Sequence, residues 1–308
     1  MSSTSVSEPP AVQAEEYRPR LIELTSDQRV LLQRDLQRTS IAQKLFDGGV
    51  GQITYDRDQY PFARIIAEML IEKGLVNRLI DLENLHLHLD PADMSVDEHQ
   101  INRVIKSFYD TNDKFISTYR RFIRDVIADR VIGEDVYFQE IPTIRFHFPF
   151  AAGMDRIERF HSDIMLGHPP QEINVWLPLT DAKRAQNFVL TSLKASMAMM
   201  AQFDFDPNRF GAAIYEDAEL LSHLRSAAQP VDIEYGRATI FDSRCIHAAL
   251  LNQSDVTRIS FDIRVIPVSD YQTVPFEFRG TGRTKARFIP GHYYNVRSIR
   301  HLSASFLA

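Results

Sequence analysis

His161-Ser-Asp-Ile-Met-Leu-Gly-His-Pro-Pro-Gln-Glu-Ile-Asn-Val-Trp-Leu-Pro-Leu-Thr-Asp181 is the stretch on which the fold turns. It opens with a His-x-Asp triplet, breaks at Gly167-His-Pro-Pro170 and resumes as an apolar run over about Glu172–Leu179. Residues i and i+2 of a strand point to the same face, so the triplet predicts an imidazole and a carboxylate projecting together into a cavity. They would supply two ligands of a facial 2-His-1-carboxylate site, which leaves positions open on a non-haem Fe(II). The third ligand has to come from a later strand. His247, following Phe241-Asp-Ser-Arg-Cys-Ile at a strand start, is the candidate.

Outward from this stretch, short β-rich runs extend from Gly133 to Pro267. The spacing predicts strands at about Tyr137–His147, Arg159–Asp163, Glu172–Leu179, Asn187–Leu193, Val231–Tyr235, Ala238–Asp242, His247–Asn252 and Thr257–Pro267, with one helical insert at Asp217–Ala228. Many short strands between turns point to a sandwich or barrel. Upstream, from about Thr25 to Ile132, the period is helical. Ser26-Asp27 can cap one helix, another can begin at Pro61, and Ser95-Val-Asp-Glu is a capping-box pattern ahead of the amphipathic run Ile101–Val126. Residues 1–16 read as a disordered tail. Residues 17–308 read as a single domain: a helical N-terminal region (17–135), a β core (136–268) and a C-terminal extension (269–308).

Composition narrows the function. The 308 residues carry 35 Lys+Arg and 41 Asp+Glu, a net charge of -6, which argues against sequence-independent nucleic-acid binding because that depends on neutralising phosphates. The N-terminal stretch lacks the apolar core of a secretory signal, and no run approaches the ~20 apolar residues that span a bilayer. A single cysteine, Cys245, cannot form an internal disulfide. These features point to a cytoplasmic protein with no membrane partner. Oligomeric state is left open, a homodimer being one option.

The triplet occurs twice, the second copy being His88-Leu-Asp90 within His86-Leu-His-Leu-Asp90. That copy lies among helical segments and runs into Asp90-Pro91, so a polar face near a turn is its ordinary reading. A lone His in a strand is usually structural, and Arg258 alone would be a surface or ion-paired residue.

Order changes that weighting. His161-x-Asp163, Asn174-Val-Trp-Leu-Pro-Leu-Thr180, His247 and Arg258-x-Ser260, taken together over about residues 137–267, resemble the Fe(II)/2-oxoglutarate-dependent oxygenases, and within them the phytanoyl-CoA dioxygenase-like, StrG-type branch. The resemblance implies an α+β fold: a double-stranded β-helix (jelly-roll, cupin-like) core buttressed by the N-terminal helices. It implies Fe(II) on His161, Asp163 and His247, with 2-oxoglutarate and O2 as co-reactants. Arg258 would pair with the distal carboxylate of 2-oxoglutarate, the task for which a planar, permanently charged guanidinium is suited. Ser260 would add a hydrogen bond, and Asn174 a further cosubstrate contact. Halogenating members carry a small residue at the acid position, so Asp163 implies oxygen insertion instead.

Four residues are candidates for a small-molecule substrate. Arg145 and His147 alternate with Ile144, Phe146 and Phe148, and an interior Arg needs an anion, either a ligand carboxylate or a buried Asp or Glu. His168 stands on the loop after the iron motif, where such enzymes gate the site. Trp176, the only tryptophan, reads as core or pocket wall. The C-terminal run with Arg279, Arg283, Lys285, Arg287, Arg297, Arg300, Tyr293 and Tyr294 reads as a solvated or dimer-contacting tail, with a lid over an anionic substrate as the alternative. The expected function is hydroxylation of a small polar metabolite or amino acid. The rivals are a cupin-like isomerase or dioxygenase that needs no 2-oxoglutarate, and a non-catalytic β-barrel binding protein.

Overall fold

The structure, a computed structural model, describes residues 21–90, 93, 104, 108, 113–149, 159–182, 188–281 and 285–302. The tail expected at residues 1–16 and the Ser95 capping box lie outside the described residues. Among those described, no helix is long and apolar enough to cross a membrane.

Two antiparallel sheets face each other. The larger comprises β1 (Val50–Thr54), β2 (Val136–Phe138), β3 (Thr143–His147), β4 (Ile173–Pro178), β7 (Arg237–Asp242) and β9 (Arg258–Pro267), in the order β1-β7-β4-β9, with β2 and β3 both paired to β9. The smaller comprises β5 (Phe188–Leu190), β6 (Gln229–Pro230) and β8 (His247–Ala249), in the order β6-β5-β8. This is the expected double-stranded β-helix, with helices packed outside it.

β9 shows how sequence sets the layers. Its odd positions, Ile259, Phe261, Ile263 and Val265, are fully buried and apolar. They share one face of the sheet with Ile173, Val175 and Leu177 of β4, and that face packs on the N-terminal helices. Phe261 lies 5.6 Å from Phe62, 5.7 Å from Phe108 and 5.6 Å from Phe115, ring centroid to ring centroid. The even positions, Arg258, Ser260, Asp262 and Arg264, turn the other way, toward the smaller sheet. One strand therefore carries the main core on one side and a row of polar groups on the other.

The structure departs from the sequence reading in six places. The strand expected over Tyr137–His147 is broken into β2 and β3, and β1 was not anticipated within the helical region. The strand expected at Arg159–Asp163 shrinks to one bridge, His161↔His247, followed by a 3-10 turn at Asp163–Leu166. No strand forms at Val231–Tyr235. The helical insert expected at Asp217–Ala228 forms as Ala218–Ala227, capped by Asp217, but two unanticipated helices precede it, Leu193–Ala201 capped by Ser192 and Pro207–Glu216 capped by Asp206. Finally, the C-terminal segment is no solvated tail: Phe278, Phe288, Tyr294 and Ile299 are buried at 3% exposure or less.

That segment closes on the turn after Asp163. Gly167 has φ +94°, and a Cβ there would lie 2.0 Å from the Arg279 carbonyl oxygen. The Thr281 amide donates to Leu166 O (3.1 Å) and the Asn295 amide to Phe138 O (2.9 Å). Only glycine allows so close a backbone approach at a positive φ.

Removing the central ring of the main core should cost heavily. Phe261→Ala should lower the unfolding free energy by about 3–5 kcal/mol, measured by urea denaturation followed by fluorescence and circular dichroism.

Candidate active site

The two histidines are positioned by the backbone. His161 N donates to His247 O (3.0 Å) and His247 N to His161 O (2.9 Å), the doubly bonded pair of an antiparallel ladder. Directly opposed residues present their side chains on one face, and the imidazole centroids are 4.4 Å apart. Asp163 is not on a strand, contrary to the i, i+2 expectation. Ser162 is extended (φ −108°, ψ 153°), however, so the carboxylate that follows still projects beside His161. Asp163 Oδ1 lies 3.9 Å from His161 Nε2 and 3.8 Å from His247 Nε2.

The hydrogen bonds fix the tautomers. His161 Nδ1 faces Arg159 O at 2.9 Å and His247 Nδ1 faces Cys245 O at 3.1 Å. A carbonyl only accepts, so each Nδ1 carries the proton and each Nε2 presents a lone pair. Burial, then the neighbouring His247, holds the His161 pKa down to about 3 against the pull of Asp163. Burial also lowers that of His247. Burial would raise Asp163, but Arg264 first, then His168, His247 and His161, hold it far below the usual carboxylate range. Two neutral imidazoles and one ionised carboxylate, with ligand atoms within 4.8 Å of one another, fit a divalent first-row metal such as Fe(II).

Asp163 Oδ2, the outer oxygen, is capped from three directions. Asn174 Nδ2 donates at 2.8 Å, Arg264 Nε at 3.1 Å, and Arg264 Nη2 lies 3.1 Å away. Asn174, expected at the cosubstrate, thus spends its amide hydrogen on Asp163, while its own Oδ1 is buried without a partner. Sequence reasoning did not single out Arg264 or Asp262. The signal was present in the period-2 row Arg258-x-Ser260-x-Asp262-x-Arg264, because charges on the inward face of a buried strand require partners.

Among the described residues Arg258 has none. It is 2% exposed, and its Nε and Nη1 have no hydrogen-bond partner there; nor does Oγ of the fully buried Ser260 two residues on. The guanidinium lies 5.8 Å from the Trp176 ring centroid, and Phe188 stacks on that indole at 4.9 Å. Burial, only partly offset by Asp262, pulls its pKa down to about 9, as befits a cation without its counter-anion. A buried guanidinium and a buried hydroxyl on one strand face, both unsatisfied, fit the carboxylate of an oxo acid.

The other candidates find different surroundings. Arg145 Nε donates to Asp262, so its anion is a neighbouring carboxylate. His147, opposite Arg258 in register, is held well below the usual histidine range by burial and then by Arg258. His168 stands on no open loop: its Nδ1 donates to Glu172 at 2.7 Å, its ring packs 4.1 Å from Phe288, and the Tyr294 hydroxyl donates to Glu172. Asp163, His168 and Glu172 also have ligand atoms close together, but these bonds and Arg264 already satisfy them, making a brace behind Asp163. Beside the second triplet, His86 lies in a 3-10 helix that ends at Leu87, with its Nδ1 2.8 Å from Thr257 Oγ1.

Comparison with known proteins adds a family to this geometry. The model of the family described as Phytanoyl-CoA dioxygenase (PhyH) matches residues 88–260, more than half of the chain. The streptomycin biosynthesis protein StrG of Streptomyces griseus is 27% identical over 222 residues, 72% of this chain and 86% of that protein. Among solved structures, EctD from S. alaskensis with 2-oxoglutarate and 5-hydroxyectoine is 14% identical, with 88% of each chain covered and a TM-score of 0.42. The α-ketoglutarate-dependent carbocyclase SnoK from nogalamycin biosynthesis is 12% identical, covering 79% of this chain and 87% of its own, with a TM-score of 0.38. The chain belongs to the phytanoyl-CoA dioxygenase family and is an enzyme of the Fe(II)/2-oxoglutarate-dependent oxygenase class.

Proposed function

We propose that the protein hydroxylates an unactivated C–H bond of a small polar metabolite or amino acid in a biosynthetic pathway. In the same turnover 2-oxoglutarate loses CO2 to become succinate, one atom of O2 entering succinate and the other the substrate. The observation that carries this reading is the buried, unpartnered pair Arg258 and Ser260 on the sheet face turned toward the histidine–carboxylate triad.

In this reading His161, Asp163 and His247 hold Fe(II), which with 2-oxoglutarate and O2 supplies the oxidant that removes a substrate hydrogen. Arg258 and Ser260 take the distal carboxylate of the oxo acid, and Trp176 with Phe188 walls that end against water. His147, neutral beside Arg258, adds no competing charge. Arg145 is already paired with Asp262, which supports a polar substrate over a strongly anionic one at this edge. The likeness to a streptomycin biosynthesis protein supports a biosynthetic setting.

Arg258→Met tests the cosubstrate assignment. A buried cation without a partner costs stability, so the variant should melt at or above the wild-type temperature in the absence of ligand. It should still bind Fe(II), yet lose the upward melting shift that 2-oxoglutarate gives the wild type by mass action. An unchanged shift would remove Arg258 from the pocket.

Anaerobic protein titrated with Fe(II) and 2-oxoglutarate should develop a visible metal-to-ligand charge-transfer band that is absent from His161→Ala. Iron binding without the band would favour a cupin-like enzyme that does not chelate the oxo acid.

The metal-free protein should be acid-sensitive in a defined window. The folded pKa of His161 is about 3, whereas an unfolded histidine titrates near ~6.5. The unfolded chain therefore takes up the proton first. Stability is retained above about pH 6.5 and falls as the pH drops toward about 3. His161→Gln should flatten that limb in melting curves collected across the range.

A further inference from the structure

Arg264 is a fully inward-facing cation with two carboxylate neighbours. Its Nε and Nη2 lie 3.1 Å from Asp163 Oδ2, and its Nη1 lies 4.0 Å from Asp262 Oδ2. Asp262 is in turn held by Arg145, whose side chain is 46% exposed. An alternating chain of charge therefore runs Asp163, Arg264, Asp262, Arg145, from the metal ligand to the edge of the sheet.

The geometry at Asp163 is asymmetric. Oδ2 accepts from Asn174 Nδ2 at 2.8 Å as well as from Arg264, which occupies its lone pairs. Oδ1 has one long approach from Arg264 Nη2 at 3.4 Å and is the oxygen that faces both imidazole Nε2 atoms. A carboxylate free to turn could offer a metal both oxygens and fill a position that the oxo acid or O2 requires. Charge matters equally. An unopposed Asp163 would cancel half the charge of a divalent ion, whereas a neutralised one leaves the metal strongly attractive to a dianion.

We propose that Arg264 is a positioning residue that caps and neutralises the outer oxygen of Asp163, keeping it a one-oxygen ligand and the metal electropositive toward the dianionic cosubstrate. The inference rests on the oxygenase reading. Asn174 completes the cap, and Asp262 sets how much of the Arg264 charge reaches Asp163.

The signature is a pair of effects with opposite signs. In Arg264→Gln, Co(II) titrated into the metal-free protein should bind roughly tenfold more tightly, because a nearby positive charge is gone. In the Fe(II)-loaded, oxygen-free protein, 2-oxoglutarate should bind at least about tenfold more weakly, and the charge-transfer band should move to longer wavelength as the carboxylate donates more strongly. Arg264→Lys keeps the charge and should restore most of both affinities. General damage to the fold weakens both ligands, so Co(II) affinity that falls or stays constant in Arg264→Gln overturns the proposal. Should that variant fail to fold, Asp262→Asn gives the converse: the site becomes more positive and Co(II) should bind more weakly, an unchanged affinity again overturning it. Failure of the oxygenase reading shows separately, as metal-loaded wild type without a band; the Co(II) measurement still decides the role of Arg264.

Discussion

The mutual pair of backbone hydrogen bonds between His161 and His247 is the constraint on which the site depends. It joins the turn bearing Asp163 to the smaller sheet and makes two nitrogen ligands neighbours by ladder geometry, independent of their side chains. Everything else is placed relative to that pair. β4 and β9 bring Asn174 and Arg264 against Asp163, the 2.9 Å and 3.1 Å bonds to Arg159 O and Cys245 O choose the tautomers, and the larger sheet turns its polar face toward them. The ligand set is preorganised because its scaffold is hydrogen-bonded backbone, whose geometry is less variable than a loop's.

β9 concentrates two opposed demands. Its apolar face closes the main core, and its polar face carries four residues that no core would choose. Two of the four are reconciled by their neighbours: Asp262 by Arg145 and Arg264, Arg264 by Asp163. Arg258 and Ser260 are not. The cost of that unmet polarity is carried by the packing of Phe261 and its ring neighbours on the other side of the same strand. Binding capacity is stored here as incomplete solvation, which is how a folded protein holds an anion site ready without an anion.

Much of this was legible in the sequence, for reasons particular residues explain. The core strands announced themselves by period, as in Thr257–Pro267, and the oxygenase class by the order of His161, Asp163, His247 and Arg258. What stayed hidden was set by tertiary context. β1 contains Gly51 and lies between helices, so its propensity is weak, and it exists because β7 offers an edge. The Asp163 turn became 3-10 because Gly167 lets the chain bend back. The resemblance implies a cosubstrate contact for Asn174, whereas its bond to Asp163 depends on a turn whose position the sequence does not show. Arg145 had two readings that only the position of Asp262 could separate. The C-terminal segment looked polar because its arginines are numerous, yet Phe278, Phe288 and Tyr294 between them reach the interior.

The seam between that segment and the Asp163 turn has a temporal consequence. Chains emerge from the ribosome in order, and domains organise as units during synthesis. A nascent chain that has reached Arg264 already contains every metal ligand and the full row on β9. It still lacks Phe288, against which His168 packs, and Tyr294, whose hydroxyl holds Glu172 from 122 residues further along. The ligands are therefore synthesised well before the brace that steadies them. The brace behind Asp163 is thus complete only once a segment that contributes no ligand has been made.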